Sequence, residues 1–189
     1  MSPLDERPTS IVAEDLEVVY QRGAEPAVSG ISFALDAGDG LLFTGGHGSG
    51  KTSVLRALLG LVVASGHIEV LGSHPGDLRN APRIGYAPQG RAYRETLTPH
   101  EIVTTVGTLR FGRRDESVGS AARDGAGIPT ERYKARDLGV EETNRLALAC
   151  AIAGDPDVLV LDDPWEFPET VAAIDRTRTR GGVVVGASH

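Results

Sequence analysis

Residues 45–52 read Gly-Gly-His-Gly-Ser-Gly-Lys-Thr. This stretch fits the phosphate-loop pattern G-x-x-x-x-G-K-[ST] at every fixed position, and it has the context the pattern requires. An apolar run precedes it (Leu41, Leu42, Phe43), and apolar residues at helical spacing follow it (Val54, Leu55, Leu58, Leu59, Val62). Successive backbone N–H groups can wrap an anion only where side chains leave room, and Gly45, Gly46, Gly48 and Gly50 leave it. The loop opens a helix, whose N-terminus favours negative charge. His47, Ser49 and Ser53 complete the candidate anion-binding set. Lys51 is placed to reach the β- and γ-phosphates of a nucleotide, and the Thr52 hydroxyl to ligate Mg²⁺.

Outward from the loop, short apolar runs alternate with helical patterns. Strands are predicted over residues 11–20, 28–35, 41–44, 67–71, 83–87, 158–161 and 183–185, and helices over 51–63 and 141–153. Thr98-Pro99-His100-Glu101 is a helix start: Thr98 caps, Pro99 takes the first helical position and Glu101 completes a capping box. Residues 112–129, rich in Gly, Ser, Asp and Arg, read as a mobile or loosely helical surface region. Alternating strands and helices imply a mainly parallel sheet flanked by helices, with ligands beyond the carboxyl ends of its strands. The phosphate loop, Asp162 and His189 each follow a predicted strand directly, so they can converge on one edge.

The chain has 189 residues, enough for one substantial core. Its net charge of −7 argues against nonspecific nucleic-acid binding, which needs a basic face. The basic cluster of Arg176, Arg178 and Arg180, followed by Gly181-Gly182, reads as a helix C-terminus. The single cysteine, Cys150, excludes an intrachain disulfide and sits in an apolar helical run. The five histidines are scattered, with no pair at metal-site spacing. Residues 1–10 are polar without a signal-peptide apolar region, and the longest apolar stretch, 58–64, is too short to span a bilayer. A cytoplasmic chain is expected, reaching a membrane only through a partner.

With these pieces in order, the chain resembles the nucleotide-binding domain of the ATP-binding cassette (ABC) family over nearly its whole length. Tyr20 looks like the family's aromatic that stacks on adenine; a buried strand tyrosine is the other reading. Arg83-Ile-Gly-Tyr-Ala-Pro-Gln89 is similar to the family's Q-loop, whose glutamine approaches Mg²⁺ and the attacking water. Leu146-Ala-Leu-Ala149 through Asp163-Pro164 is similar to the signature helix and Walker B strand. The resemblance makes Asp162 the carboxylate that holds Mg²⁺, Asp163 the counterpart of the catalytic glutamate, and His189 the histidine that contacts the γ-phosphate. It implies ATP and Mg²⁺ as cofactors, a P-loop NTPase α/β fold with an N-terminal antiparallel β region, and a single ABC-type domain over 1–189 with a small helical subdomain at about 91–150.

Three departures stand beside the match. The family's Leu-Ser-Gly-Gly-Gln signature falls on Leu138, Gly139, Val140, Glu141 and Glu142, where only the leucine remains. In the family this motif binds the γ-phosphate held by the opposite subunit. Here the hydroxyl is gone and two acids occupy a first helical turn, where they also stabilise the helix. Aspartate at 163 shortens the catalytic arm by one methylene, and slow hydrolysis is expected. The segment Trp165-Glu-Phe-Pro-Glu169 does not match the family's Ser-x-x-Leu-Asp, with Trp165 either a dimer contact or a local anchor. The stretch from Asp163 to His189 is short for the family; at the end of the given sequence, a free carboxylate beside His189 is expected to add negative charge.

Three functions are compatible with this reading. The first is the ATP-binding subunit of an ABC transporter. Its partners would be an integral membrane permease, contacted after Gln89 (Gly90, Arg91, Ala92, Tyr93), and a second cassette, identical or different. It would lie peripherally on the inner face of the cell membrane. The second is a degenerate, hydrolysis-poor cassette that regulates or complements a competent subunit. The third is a small P-loop kinase or other NTPase, for which Arg113, Arg114 and Arg123 are the available lid arginines.

Overall fold

The computed structural model describes residues 10–21, 23–90, 93–112, 116–128, 133–163 and 167–189. Its centre is a parallel four-stranded sheet in the order β3-β7-β6-β5, formed by β3 (Gly40–Thr44), β5 (Ile84–Ala87), β6 (Val158–Asp162) and β7 (Val183–Ser188). Beside it lies an antiparallel sheet in the order β2-β1-β4, with β1 (Ile11–Val18), β2 (Val28–Leu35) and β4 (Ala64–Val70). The mainly parallel α/β sheet and the N-terminal antiparallel region expected from the sequence are both present.

Strand β6 shows why the parallel sheet is central. All five of its residues are buried, as a strand covered on both faces requires. Val158 and Val160 join the core formed with the antiparallel sheet and α1 (Lys51–Leu58), which includes Leu16, Leu55 and Leu58. Leu159 and Leu161 face the opposite way, into a core with Leu146 and Leu148 of α4 (Val140–Ile152). The strand period of two thus divides one apolar run between two cores. Helices α2 (Pro99–Phe111), α3 (Glu116–Gly125) and α5 (Pro168–Thr179) complete the second side.

Several elements differ from expectation. Helix α1 ends at Leu58, before the 51–63 span the pattern suggested. Gly60 stops it, because φ is +67° there and an added Cβ would lie 2.6 Å from Gly76 N. The region 112–129 is not a loose surface segment among its described residues: α3 is regular, and Ala122, Ala126 and Ile128 are buried. Small residues hid it, since Gly119 lets α3 approach so closely that a Cβ would meet Thr104 Oγ1 at 2.9 Å. Tyr20 lies beyond the end of β1 and is 55% exposed, which removes the buried-strand reading. The capping box at Thr98 and Glu101 forms as expected. Cys150 is buried, which pushes its thiol up to about 12 and leaves it unreactive. No helix among the described residues is long and apolar enough to cross a membrane.

Candidate functional site

Parallel strands bring their carboxyl ends to one edge, and register fixes which residues meet there. Thr44 pairs with Ser188, Asp162 with Ala187, and Ala87 with Leu161. At about 4.8 Å between neighbours, four strands span roughly 14 Å. The phosphate loop leaves β3, His189 leaves β7, Asp162 ends β6 with Asp163 just after it, and Gln89 follows β5. These residues line one cleft of about 220 Å³.

Within the cleft the polar groups bond to one another. Lys51 Nζ donates to Gly45 O at 2.6 Å, to Gly46 O at 2.9 Å and to Ser49 Oγ at 3.3 Å, so the loop carbonyls encircle the ammonium. Thr52 Oγ1 donates to Asp162 Oδ1 at 3.0 Å. Asp162 is only 4% exposed, and a buried carboxylate needs such a partner. Gln89 Nε2 donates to Asp163 Oδ2 at 3.2 Å. His47 Nδ1 lies 3.3 Å from His189 Nδ1, with the ring centroids 4.3 Å apart. Tyr20 does not line the cleft, but its hydroxyl lies 3.0 Å from Ser53 Oγ, which does.

The loop backbone explains its glycines at the position that matters most. Gly50 has φ of +89°, and a Cβ there would overlap Ala27 O and come 3.0 Å from Val28 Cγ2. No side chain fits, so the loop lies directly on β2. Gly50 gives α1 no side-chain cap and the first turn holds no acid. The helix therefore presents unanswered N–H groups to the cleft, as an anion receptor must. Thr52 and Asp162 contribute hard oxygen donors of the kind Mg²⁺ takes. The residues present thus fit a Mg²⁺-bound nucleotide.

Asp163 has φ of +61° and its N–H donates to Ala187 O at 2.7 Å. Aspartate is among the few residues that tolerate this left-handed conformation. Its carboxylate reaches Gln89 from that backbone, joining the two groups the sequence assigned to the attacking water. A different arrangement holds at the N-terminus of α4. Gly139 N donates to Glu142 Oε2 at 2.8 Å, and Thr143 Oγ1 donates to Gly139 O at 2.8 Å. This helix end is filled by the chain's own carboxylate, while Val140 is 81% exposed beside it. Of the lid arginines, Arg123 is buried on α3, and Arg113 and Arg114 lie outside the described residues. Arg91, Ala92 and Trp165 also lie outside them.

Three contacts had no local signal. His47 and His189 are 142 positions apart. Arg145 binds Glu169 Oε1 at 2.7 Å and lies 4.8 Å from the centre of the Phe167 ring, tying α4 to the start of α5. Tyr86 is raised above its ordinary pKa first by burial and then by the charge of Asp162, 76 positions away.

The family model described as ABC transporter matches residues 28–166. The chain belongs to the ABC transporter family. This ABC-family chain is 35% identical over 158 residues to the zinc import ATP-binding protein ZnuC of Paracoccus denitrificans, covering 82% of this chain and 58% of that protein. It is 31% identical over 170 residues to the cytochrome c biogenesis ATP-binding export protein CcmA of Xanthomonas axonopodis pv. citri, covering 87% of this chain and 77% of that one. The ABC fold also matches the dimeric post-hydrolysis state of the ATP-binding cassette MJ0796 bound to ADP and Pi. There the TM-score is 0.84 at 19% identity, covering 95% of this chain and 88% of that chain. The ABC-family chain thus spans a little over half the length of the zinc import protein and more of the other two.

Proposed function

We propose that this chain is the ATP-binding subunit of an ABC transporter, a single ABC-type domain with a helical arm near residues 91–150. The carrying observation is the cleft that collects Lys51, Thr52, Gln89, Asp162, Asp163 and His189 from four strand ends. Tyr20 stacks on adenine. Gly45, Gly46, His47, Gly48, Ser49 and Gly50 wrap the phosphates, which Lys51 and Ser53 also hold. Thr52, Asp162 and Gln89 hold Mg²⁺, which when bound neutralises phosphate charge. Gln89 orients the attacking water, the Asp163 carboxylate takes its proton, and His189 steadies the γ-phosphate. A membrane permease and a second cassette complete the assembly at the inner face of the membrane, with no nucleic acid involved.

One observation favours a narrower version, in which turnover is slow and the partner cassette differs from this chain. The α4 N-terminus, which in the family receives the partner's γ-phosphate, is closed by Glu142. A homodimer would place this filled end against both nucleotides. A different cassette with an open helix end would complete the site built on this chain's loop.

Isothermal titration of Mg·ATP into the purified chain tests the reading. Binding in the micromolar range is expected, and Lys51→Ala lowers affinity by about 10- to 150-fold, the loss of a charge-assisted contact of roughly 1.5–3 kcal/mol. Unchanged affinity in Lys51→Ala overturns the assignment.

A further inference from the structure

Tyr20 stands beside the cleft, and its hydroxyl touches a residue that lines it. Stacking uses the flat face of an aromatic and gains nothing from a hydroxyl. Yet the Tyr20 hydroxyl lies 3.0 Å from Ser53 Oγ, at the phosphate end. Ser53 is 7% exposed, lines the cleft and belongs to the first turn of α1. The first intrahelical bond there runs from Val54 N to Gly50 O at 3.0 Å, so the preceding N–H groups have no helical acceptor. A phosphate oxygen that takes those N–H groups also meets the Ser53 hydroxyl, where the phenol already sits.

We propose that the Tyr20 hydroxyl is a latch on the nucleotide cleft: it occupies Ser53 until a phosphate oxygen displaces it, and so sets the affinity for phosphorylated nucleotides separately from recognition of the base. The latch rests on the proposed ATP site. The displaced phenol keeps a partner, because Tyr20 is 55% exposed and its hydroxyl can turn to water. The exchange therefore strands no polar group, and the cost to the incoming phosphate is one neutral hydrogen bond.

Tyr20→Phe keeps the ring and removes the latch. Isothermal titration of this variant is expected to show ATP binding about three- to tenfold tighter than the unaltered chain, the worth of one such bond. Adenosine, which has no phosphate, binds both alike. In a Ser53→Ala background the Tyr20→Phe gain falls below about twofold, because the two groups act as a pair. Equal or weaker ATP binding by Tyr20→Phe overturns the latch, as does a gain that extends to adenosine or survives Ser53→Ala. Absence of ATP binding in both the unaltered chain and Tyr20→Phe overturns the ATP site itself, and the latch with it.

Discussion

The filled end of α4 offers a quantitative test by replacement of residues 139–142 with Ser-Gly-Gly-Gln. Glu142 now accepts the Gly139 N–H at 2.8 Å. Glutamine can take over that acceptor role, as it does in other capping boxes. The loss in folding is the acid's interaction with the helix dipole, about 0.3–1 kcal/mol, plus at most about 1 kcal/mol for each new glycine. The gain appears in association. A partner's phosphate brought to about 4 Å from a carboxylate meets roughly 1–4 kcal/mol of repulsion, depending on local dielectric. Glu141 is partly neutralised by Arg145 at 3.1 Å, so Glu142 carries most of this. Removing it should strengthen nucleotide-dependent self-association by about tenfold or more. Sedimentation velocity with a non-hydrolysable Mg·ATP analogue reads the difference. The native chain is expected to remain monomeric at concentrations where the substituted chain dimerises. Equally tight nucleotide-dependent dimers of both chains would refute the argument.

Further outcomes follow from Asp163 and Glu169. Because Asp163 sits at φ of +61°, Asp163→Glu should cost about 1 kcal/mol of folding stability in urea unfolding, whereas Asp163→Gly should cost less. A glycine variant no more stable than the glutamate variant would remove the backbone explanation for aspartate here. Glu169 is held below its ordinary 4.5 chiefly by the Arg145 hydrogen bond. A depressed carboxylate stabilises fully above its unfolded pKa and loses that contribution as pH falls through the folded value. Glu169→Gln should therefore be less stable than the native chain at pH 7, with the gap closing below about pH 4. Urea midpoints at the two pH values check the sign, and a gap that widens on acidification contradicts it.

Much of the fold was legible because its signals are local. The loop at 45–52 contains its own glycines, lysine and hydroxyl within one turn of chain, and the capping box at Thr98 needs only four residues. The run at 158–161 announces a strand buried on both faces by composition alone. Where local signals were diluted, the reading erred. Val118 is the one large apolar residue in α3, so its apolar face was built from alanines and glycine and did not stand out, and the stop of α1 at Leu58 depends on backbone that arrives from Gly76.

What the sequence by itself determined was the phosphate loop, the alternation that makes a parallel sheet, and the types of polar group at the ends of its strands. Only the tertiary structure decided how those groups pair: Thr52 with Asp162, Gln89 with Asp163, His47 with His189 and Tyr20 with Ser53. The reason is physical. Glycine clearance and helix capping act within a few residues, whereas these contacts join chain segments 33 to 142 positions apart. The first three exist only once strand order and register have brought four carboxyl ends to the same edge, and the fourth only once the antiparallel sheet has packed on α1.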